Sequence, residues 1–189
     1  MNLPNKLTLL RIILIPVFVV LMELSFSYHL VWALVIFIAA AITDQLDGHL
    51  ARKNNQVTSF GKLADPLADK LLTISALISF LECNVPYLPG WVVIIIIGRE
   101  LIVTGIRLIA MTGNNVIAAS VWGKAKTVSQ MVTIIAVMLY LILESLNISG
   151  FPYGACKYAI LALVTVMVAL TLISGFDYVN KNWKLLNFK

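Results

Sequence analysis

Charge is scarce in this sequence. Lys, Arg, Asp and Glu make up 12% of the 189 residues, against 60% hydrophobic, where a soluble domain carries about 25% charged residues. That shortage excludes an ordinary water-soluble globule. No basic stripe interleaved with aromatics appears, so the net charge of +5 is not a nucleic-acid signal. No internal repeat or low-complexity segment stands out. Cysteine and histidine occur twice each. Cys83 and Cys156 prove nothing about pairing and read as small buried residues. His49 has no nucleophile to pair with and His29 falls in a loop, so neither is expected to carry chemistry. Nor is there a cleavable signal peptide, because the apolar stretch after Arg11 runs too long and lacks a small-residue cleavage site.

What the chain has instead is apolar length. A membrane-spanning helix needs about 20 mostly apolar residues. Six segments meet that need: about 8–27, 30–48, 64–82, 91–112, 127–147 and 155–178. The expected fold is therefore all-α, a polytopic membrane protein of six transmembrane helices in a single domain, 1–189. Asn2-Leu3-Pro4-Asn5 reads as the start of a short N-terminal interfacial helix, with Pro4 or Asn5 near its cap. Six spans put both termini on one side of the membrane. Lys6, Arg11, Arg52, Lys53, Lys62, Lys70, Lys124, Lys126, Lys181, Lys184 and Lys189 fall on or near that side, and Lys157 near the other. By the positive-inside rule the lysine-rich side is cytoplasmic, and its charge meets anionic headgroups.

Charged residues at membrane depth are expensive and face a cavity or a partner. The first group lies between Asp44 and Asp69. Asp44 and Asp47 are three apart and Asp65 and Asp69 four apart, so each pair shares a helix face. A short connection lets the two pairs converge. Four facing carboxylates repel unless cations sit between them, and hard oxygen ligands without nearby His or Cys suit Mg²⁺ or Mn²⁺. Two such ions about 4 Å apart form the usual clamp for displacement at phosphorus. Gly48 leaves room for a phosphate or ribose against the backbone, or for close helix packing. Arg52, one turn on, is placed to grip a phosphate or to anchor the helix.

The second group is Arg99, Glu100 and Arg107. Arg99–Glu100 reads as a structural ion pair, and Arg107 as a ligand for an anionic substrate. The third is Gly123-Lys124-Ala125-Lys126-Thr127, where two lysines at a helix N-terminus suit a phosphate.

Asp44, Asp47, Gly48, Ala51, Arg52, Gly61, Asp65 and Asp69 carry the pattern D-x2-D-G-x2-A-R-x8-G-x3-D-x3-D with every spacer the right length. This resembles the signature of the CDP-alcohol phosphotransferase family, and the six-span layout extends the resemblance over essentially the whole chain. The resemblance implies transfer of a phosphatidyl or similar group from a CDP-linked donor to an alcohol, with release of CMP. It implies two metal ions held by the four aspartates, with Asp69 also the base that deprotonates the acceptor. Gly48 and Arg52 match positions that contact the CDP moiety, as does Thr58. Asn5-Lys6-Leu7-Thr8 matches a stretch near the nucleotide, which makes Asn5 and Thr8 donor-site candidates. Asp65-Pro66 is expected to be tolerated as part of a helix's first turn.

Within the family, the N-terminal stretch, Gly98-Arg99-Glu100 and Gly123-Lys124-Ala125-Lys126-Thr127 look like the bacterial members whose donor is CDP-diacylglycerol and whose acceptor is sn-glycerol 3-phosphate. That acceptor is a dianion, and Arg107, Lys124 and Lys126 are its expected cationic partners. Inositol phosphate, serine and phosphatidylglycerol are the alternative acceptors. Family analogy also implies a homodimer in the bacterial cytoplasmic membrane, with its active site facing the cytoplasm. A divalent-cation transporter is the rival of another class. It predicts carboxylates at the bilayer midplane on broken helices, whereas these four cluster at one interface.

Overall fold

The computed structural model describes residues 3–53, 59–112, 120–148 and 151–183, with residues 3–6, 44–53, 59–66, 69 and 111–112 described at the level of the backbone. Among the described residues the regular structure is helical: α1 Leu3–Glu23, α2 His29–Lys53, α3 Ser59–Glu82, α4 Gly90–Thr112, α5 Val121–Ser145 and α6 Tyr153–Asn182. The chain forms two compact units. The first comprises Met1–Cys83 and Met138–Ile148, the second Asn84–Val137 and Ser149–Lys189.

In the first unit α1 packs on α2 and α3, and α2 on α3. The packed face of α1 is Thr8, Arg11, Ile15, Phe18 and Met22, all buried. These residues recur every three or four positions, the repeat that keeps one helix face inward. The opposite face is apolar and exposed, with Leu9, Leu10, Ile13, Val17 and Val20. A helix whose outward face is greasy and whose inward face contains a buried arginine is built for lipid rather than water. On α2 the buried residues are Leu30, Ala33, Phe37 and Ala40, and Phe37 meets Phe18 of α1 with ring centroids 5.7 Å apart. On α3 they include Ala68, Leu72, Ala76 and Phe80.

In the second unit α4 packs on α6, and α5 joins them through side-chain contacts described below. Each helix again shows a three-four stripe: Val93, Ile96, Glu100 and Val103 on α4; Lys126, Gln130, Thr133 and Val137 on α5; Ile160, Val164, Met167, Thr171, Ser174 and Tyr178 on α6. The α5 stripe is polar in its N-terminal half, the α6 stripe turns polar toward its C-terminal end, and Glu100 interrupts the apolar stripe of α4 near its middle.

Among the described residues two helices, α5 and α6, are long and apolar enough by themselves to cross a membrane, and the apolar part of α2, His29–Thr43, is shorter. Sequence and structure differ at several boundaries. The expected interfacial helix is no separate element, since α1 runs without a break from Leu3 to Glu23. Pro4 stands in its first turn, where a missing N–H costs nothing, and nothing between Leu7 and Leu10 breaks it. Pro16 lies inside α1, as membrane helices tolerate. α3 starts at Ser59 rather than near Ala64, which makes Pro66 its eighth residue. Pro66 is therefore past the first turn and offers no N–H to the carbonyl of Lys62. Both cysteines are free thiols.

Candidate active site

The aspartate motif belongs to the first unit. Asp44, Asp47, Gly48 and Arg52 lie on the last turns of α2, and Gly61, Asp65 and Asp69 on the first turns of α3. By register, positions 44 and 47 prolong the buried stripe 30–33–37–40 of α2, and positions 65 and 69 prolong the stripe 72–76–80 of α3. Within each pair the backbone positions stand about 4.5–6 Å apart along the axis. Consecutive packed helices run antiparallel, so the start of α1, the end of α2 and the start of α3 lie at one end of this unit. That end brings the four aspartate positions to the polar part of the α1 stripe, Thr8 and Arg11, both fully buried. The side chains of Asn5, Asp44, Asp47, Arg52, Asp65 and Asp69, and all of Thr58, lie outside the described residues.

The expected acceptor residues belong to the second unit. α5 begins at Val121, six residues before the expected span, because Ser120 caps it: the N–H of Gly123 donates to Ser120 Oγ at 3.1 Å. This is the bond an N-cap serine makes. Lys124 and Lys126 are therefore inside the helix rather than at an open N-terminus. Two residues apart, they point to different sides. Lys124 is exposed, whereas Lys126 is completely buried, its Nζ donating to Glu100 Oε1 and to Gln130 Oε1. The structure does not bring the two lysines to one face.

Arg99 also reaches Glu100, with Nη1 3.5 Å from the same carboxylate oxygen. Its chain lies between two glycines. A Cβ on Gly175 of α6 would come within 3.0 Å of Arg99 Cγ, and one on Gly123 of α5 within 3.9 Å of its Nη2. Arg107 is half-buried on α4. The Nε atoms of Arg99 and Arg107, Nε2 of Gln130 and the Tyr178 hydroxyl are all buried without a hydrogen-bond partner among the described residues. Every one of them can donate, and a buried donor without a partner costs about 1–3 kcal/mol. The arrangement is prepared for an acceptor-rich, negatively charged group.

Residues 1–175 match the CDP-alcohol phosphatidyltransferase family. The chain belongs to that family. Among its relatives is the CDP-diacylglycerol–glycerol-3-phosphate 3-phosphatidyltransferase of Bacillus subtilis, 42% identical over 98% of this chain and 97% of the relative. The protein of that name from Salmonella typhimurium is 39% identical over 95% of this chain and 93% of its own length. A probable phosphatidylglycerophosphate synthase of Mycobacterium tuberculosis is 40% identical over 94% and 80%.

Enzymes of the CDP-alcohol phosphatidyltransferase family are generally metal-dependent, and the donor set fits. The motif supplies oxygen donors alone, at one end of a three-helix unit, as a hard divalent cation requires. Three residues had not stood out from the sequence as site components. Arg11 reads there as one of the basic residues on or near the cytoplasmic side, yet it is 0% exposed; the spacing 8–11–15–18–22 was the available signal. Glu100 reads as a partner for Arg99 alone, whereas it also holds Lys126. Tyr178 gives no sequence signal beyond its place on the α6 stripe.

Proposed function

We propose that this chain transfers the phosphatidyl group of CDP-diacylglycerol to sn-glycerol 3-phosphate, giving phosphatidylglycerophosphate and CMP, as a step of phospholipid synthesis. The observation that carries this reading is the end-to-end likeness to 3-phosphatidyltransferases at about 40% identity, joined to an unbroken eight-position motif.

In this reading Asp44, Asp47, Asp65 and Asp69 hold two Mg²⁺ or Mn²⁺ ions, which when bound supply positive charge to the donor's pyrophosphate. Asn5, Thr8, Gly48, Arg52 and Thr58 hold the nucleotide. Asp69 takes the proton of the acceptor's 1-hydroxyl, whose oxygen then attacks the β-phosphorus while CMP leaves with the bridging oxygen. Arg107, Lys124 and Lys126 supply the positive charge that draws the acceptor's phosphate. Lys124, exposed in the first turn of α5, serves as an entry contact, and Arg107 as a direct ligand.

The outward apolar faces of α1 to α4 support six spans. The distribution of lysine and arginine supports a bacterial cytoplasmic-membrane location with both termini and the active site in the cytoplasm. A homodimer follows from the family resemblance, and native mass spectrometry in micelles tests it. An assay with labelled CDP-diacylglycerol and a panel of acceptors tests the reaction. CMP release with glycerol 3-phosphate alone is expected; release with serine, inositol phosphate or phosphatidylglycerol instead overturns the acceptor. Normal turnover by Asp69→Asn at saturating Mg²⁺ overturns the base.

A further inference from the structure

The second unit brings two cations, Arg99 and Lys126, to one carboxylate, Glu100, with a third, Arg107, within electrostatic reach of Arg99. The carboxylate of α6, Asp177, is bound to Lys181 at 2.8 Å. Three positive charges against one leave a surplus of two among the described residues. Such a surplus at membrane depth is costly unless an anion balances it, and a phosphate monoester dianion carries the matching charge.

The three cations are not equivalent. Lys126 is completely buried and occupied by Glu100 and Gln130. A lysine is a point charge on a flexible four-carbon stem, and these two acceptors remove its freedom. Arg99 and Arg107 instead keep buried Nε atoms without partners. They lie within electrostatic reach of each other, and Arg99 within reach of Tyr178, whose buried hydroxyl is also unpartnered.

We infer that Glu100 is a positioning residue of the acceptor site: it fixes the ammonium of Lys126 and steadies Arg99, leaving Arg99 and Arg107 to face the acceptor's phosphate. The inference rests on the reading that this unit binds glycerol 3-phosphate. Lys126 then shapes the site from behind rather than touching the acceptor.

Simple electrostatics predicts the opposite sign from positioning. Deleting a negative charge near a bound dianion strengthens its attraction, so Glu100→Gln would lower the acceptor KM if charge alone mattered. If Glu100 positions, Glu100→Gln frees Lys126 to turn and Arg99 to drift, and the KM rises.

The test measures kcat and KM for both substrates in the purified full-length enzyme, with its thermal unfolding, for Glu100→Gln, Glu100→Asp and Arg107→Ala. Glu100→Gln is expected to raise the KM for glycerol 3-phosphate about tenfold while the KM for CDP-diacylglycerol stays within about twofold. Glu100→Asp is expected to recover most of the loss. A lowered or unchanged acceptor KM in Glu100→Gln overturns the inference, as does an equal rise in both KM values. If Glu100→Gln does not fold, Glu100→Asp carries the same measurement, with a smaller rise expected in the acceptor KM and none in the donor KM, and an unchanged or lowered acceptor KM there overturns the inference. Arg107→Ala separates the two ideas. An unchanged acceptor KM there overturns the acceptor reading itself, whereas a raised one with Glu100→Gln unaffected overturns positioning alone.

Discussion

Gly175 supplies a sharp test of how tightly Arg99 is seated. Replacement by alanine would place a Cβ 3.0 Å from Arg99 Cγ. Carbon atoms rest at about 3.5–4.0 Å, so the added methyl forces the arginine chain to give way by a few tenths of an ångström. The atom it meets is in the middle of the arginine chain, so relief displaces the guanidinium from its 3.5 Å contact with Glu100. Overpacking of this kind costs about 1–3 kcal/mol. An alanine also gains about 1 kcal/mol of helix propensity over glycine, which would blur a comparison with the parent enzyme. Gly105, in the middle of α4, has nothing within 4 Å of the corresponding position. Gly105→Ala therefore takes the propensity gain without the clash, and the gain cancels between the two variants. In denaturant titrations in micelles, Gly175→Ala is expected to be about 1–3 kcal/mol less stable than Gly105→Ala, and to show a raised acceptor KM that Gly105→Ala does not. Equal stability to within about 0.5 kcal/mol would refute the argument that Arg99 is held between α5 and α6.

Further tests reach other parts of the molecule. Lys126→Met leaves Glu100 buried beside Arg99 alone, and should destabilise the enzyme by about 3–5 kcal/mol, with the neutral pair Glu100→Gln and Lys126→Met recovering a large part; additive losses in a double-mutant cycle would contradict the pairing. Chelation of divalent cations should abolish CMP release, and added Mg²⁺ or Mn²⁺ should restore it; activity that survives exhaustive chelation contradicts the metal role of the aspartates. Burial, with a smaller contribution from Glu82, pushes up the thiol of Cys83, in the turn after α3. The folded state therefore favours the protonated thiol: its stabilising contribution is complete below the unfolded thiol's pKa and is lost as pH rises through the folded value. Iodoacetamide should alkylate Cys83 more slowly than a free thiol at mildly alkaline pH, and Glu82→Gln should change this only slightly; a rate matching the free thiol contradicts the shift.

Much of this architecture was legible in the sequence because the membrane simplifies the code. Apolar runs of spanning length announced helices over all six segments. Boundaries were less legible. Composition places the fifth span at Thr127, where lysine gives way to apolar residues, but a helix begins where its first N–H groups find a partner, and Ser120 supplies one at Gly123. Pairing across helices was least legible. Glu100 sits next to Arg99 in the chain, which suggests a local pair, whereas its firmer partner is Lys126, 26 residues away. Arg11 was hard to place in a similar way, because a basic residue near the start of a helix counts toward the charge of one side until the packed stripe of α1 shows it facing inward.

That buried arginine bears on how the protein is made. Arg11 lies about 12 Å along α1 from its first residue, and α1 is made before α2 and α3. Alone in the bilayer it would expose a guanidinium to acyl chains, at about 2.5–3.5 kcal/mol on insertion scales if carried to the centre. The helices that shelter it, α2 and α3, also bear the aspartate motif, and they emerge later. α1 thus stays unsettled until the motif-bearing helices join it, so a chain that fails to assemble the motif also leaves Arg11 unsheltered, which leaves defective copies open to quality-control proteases.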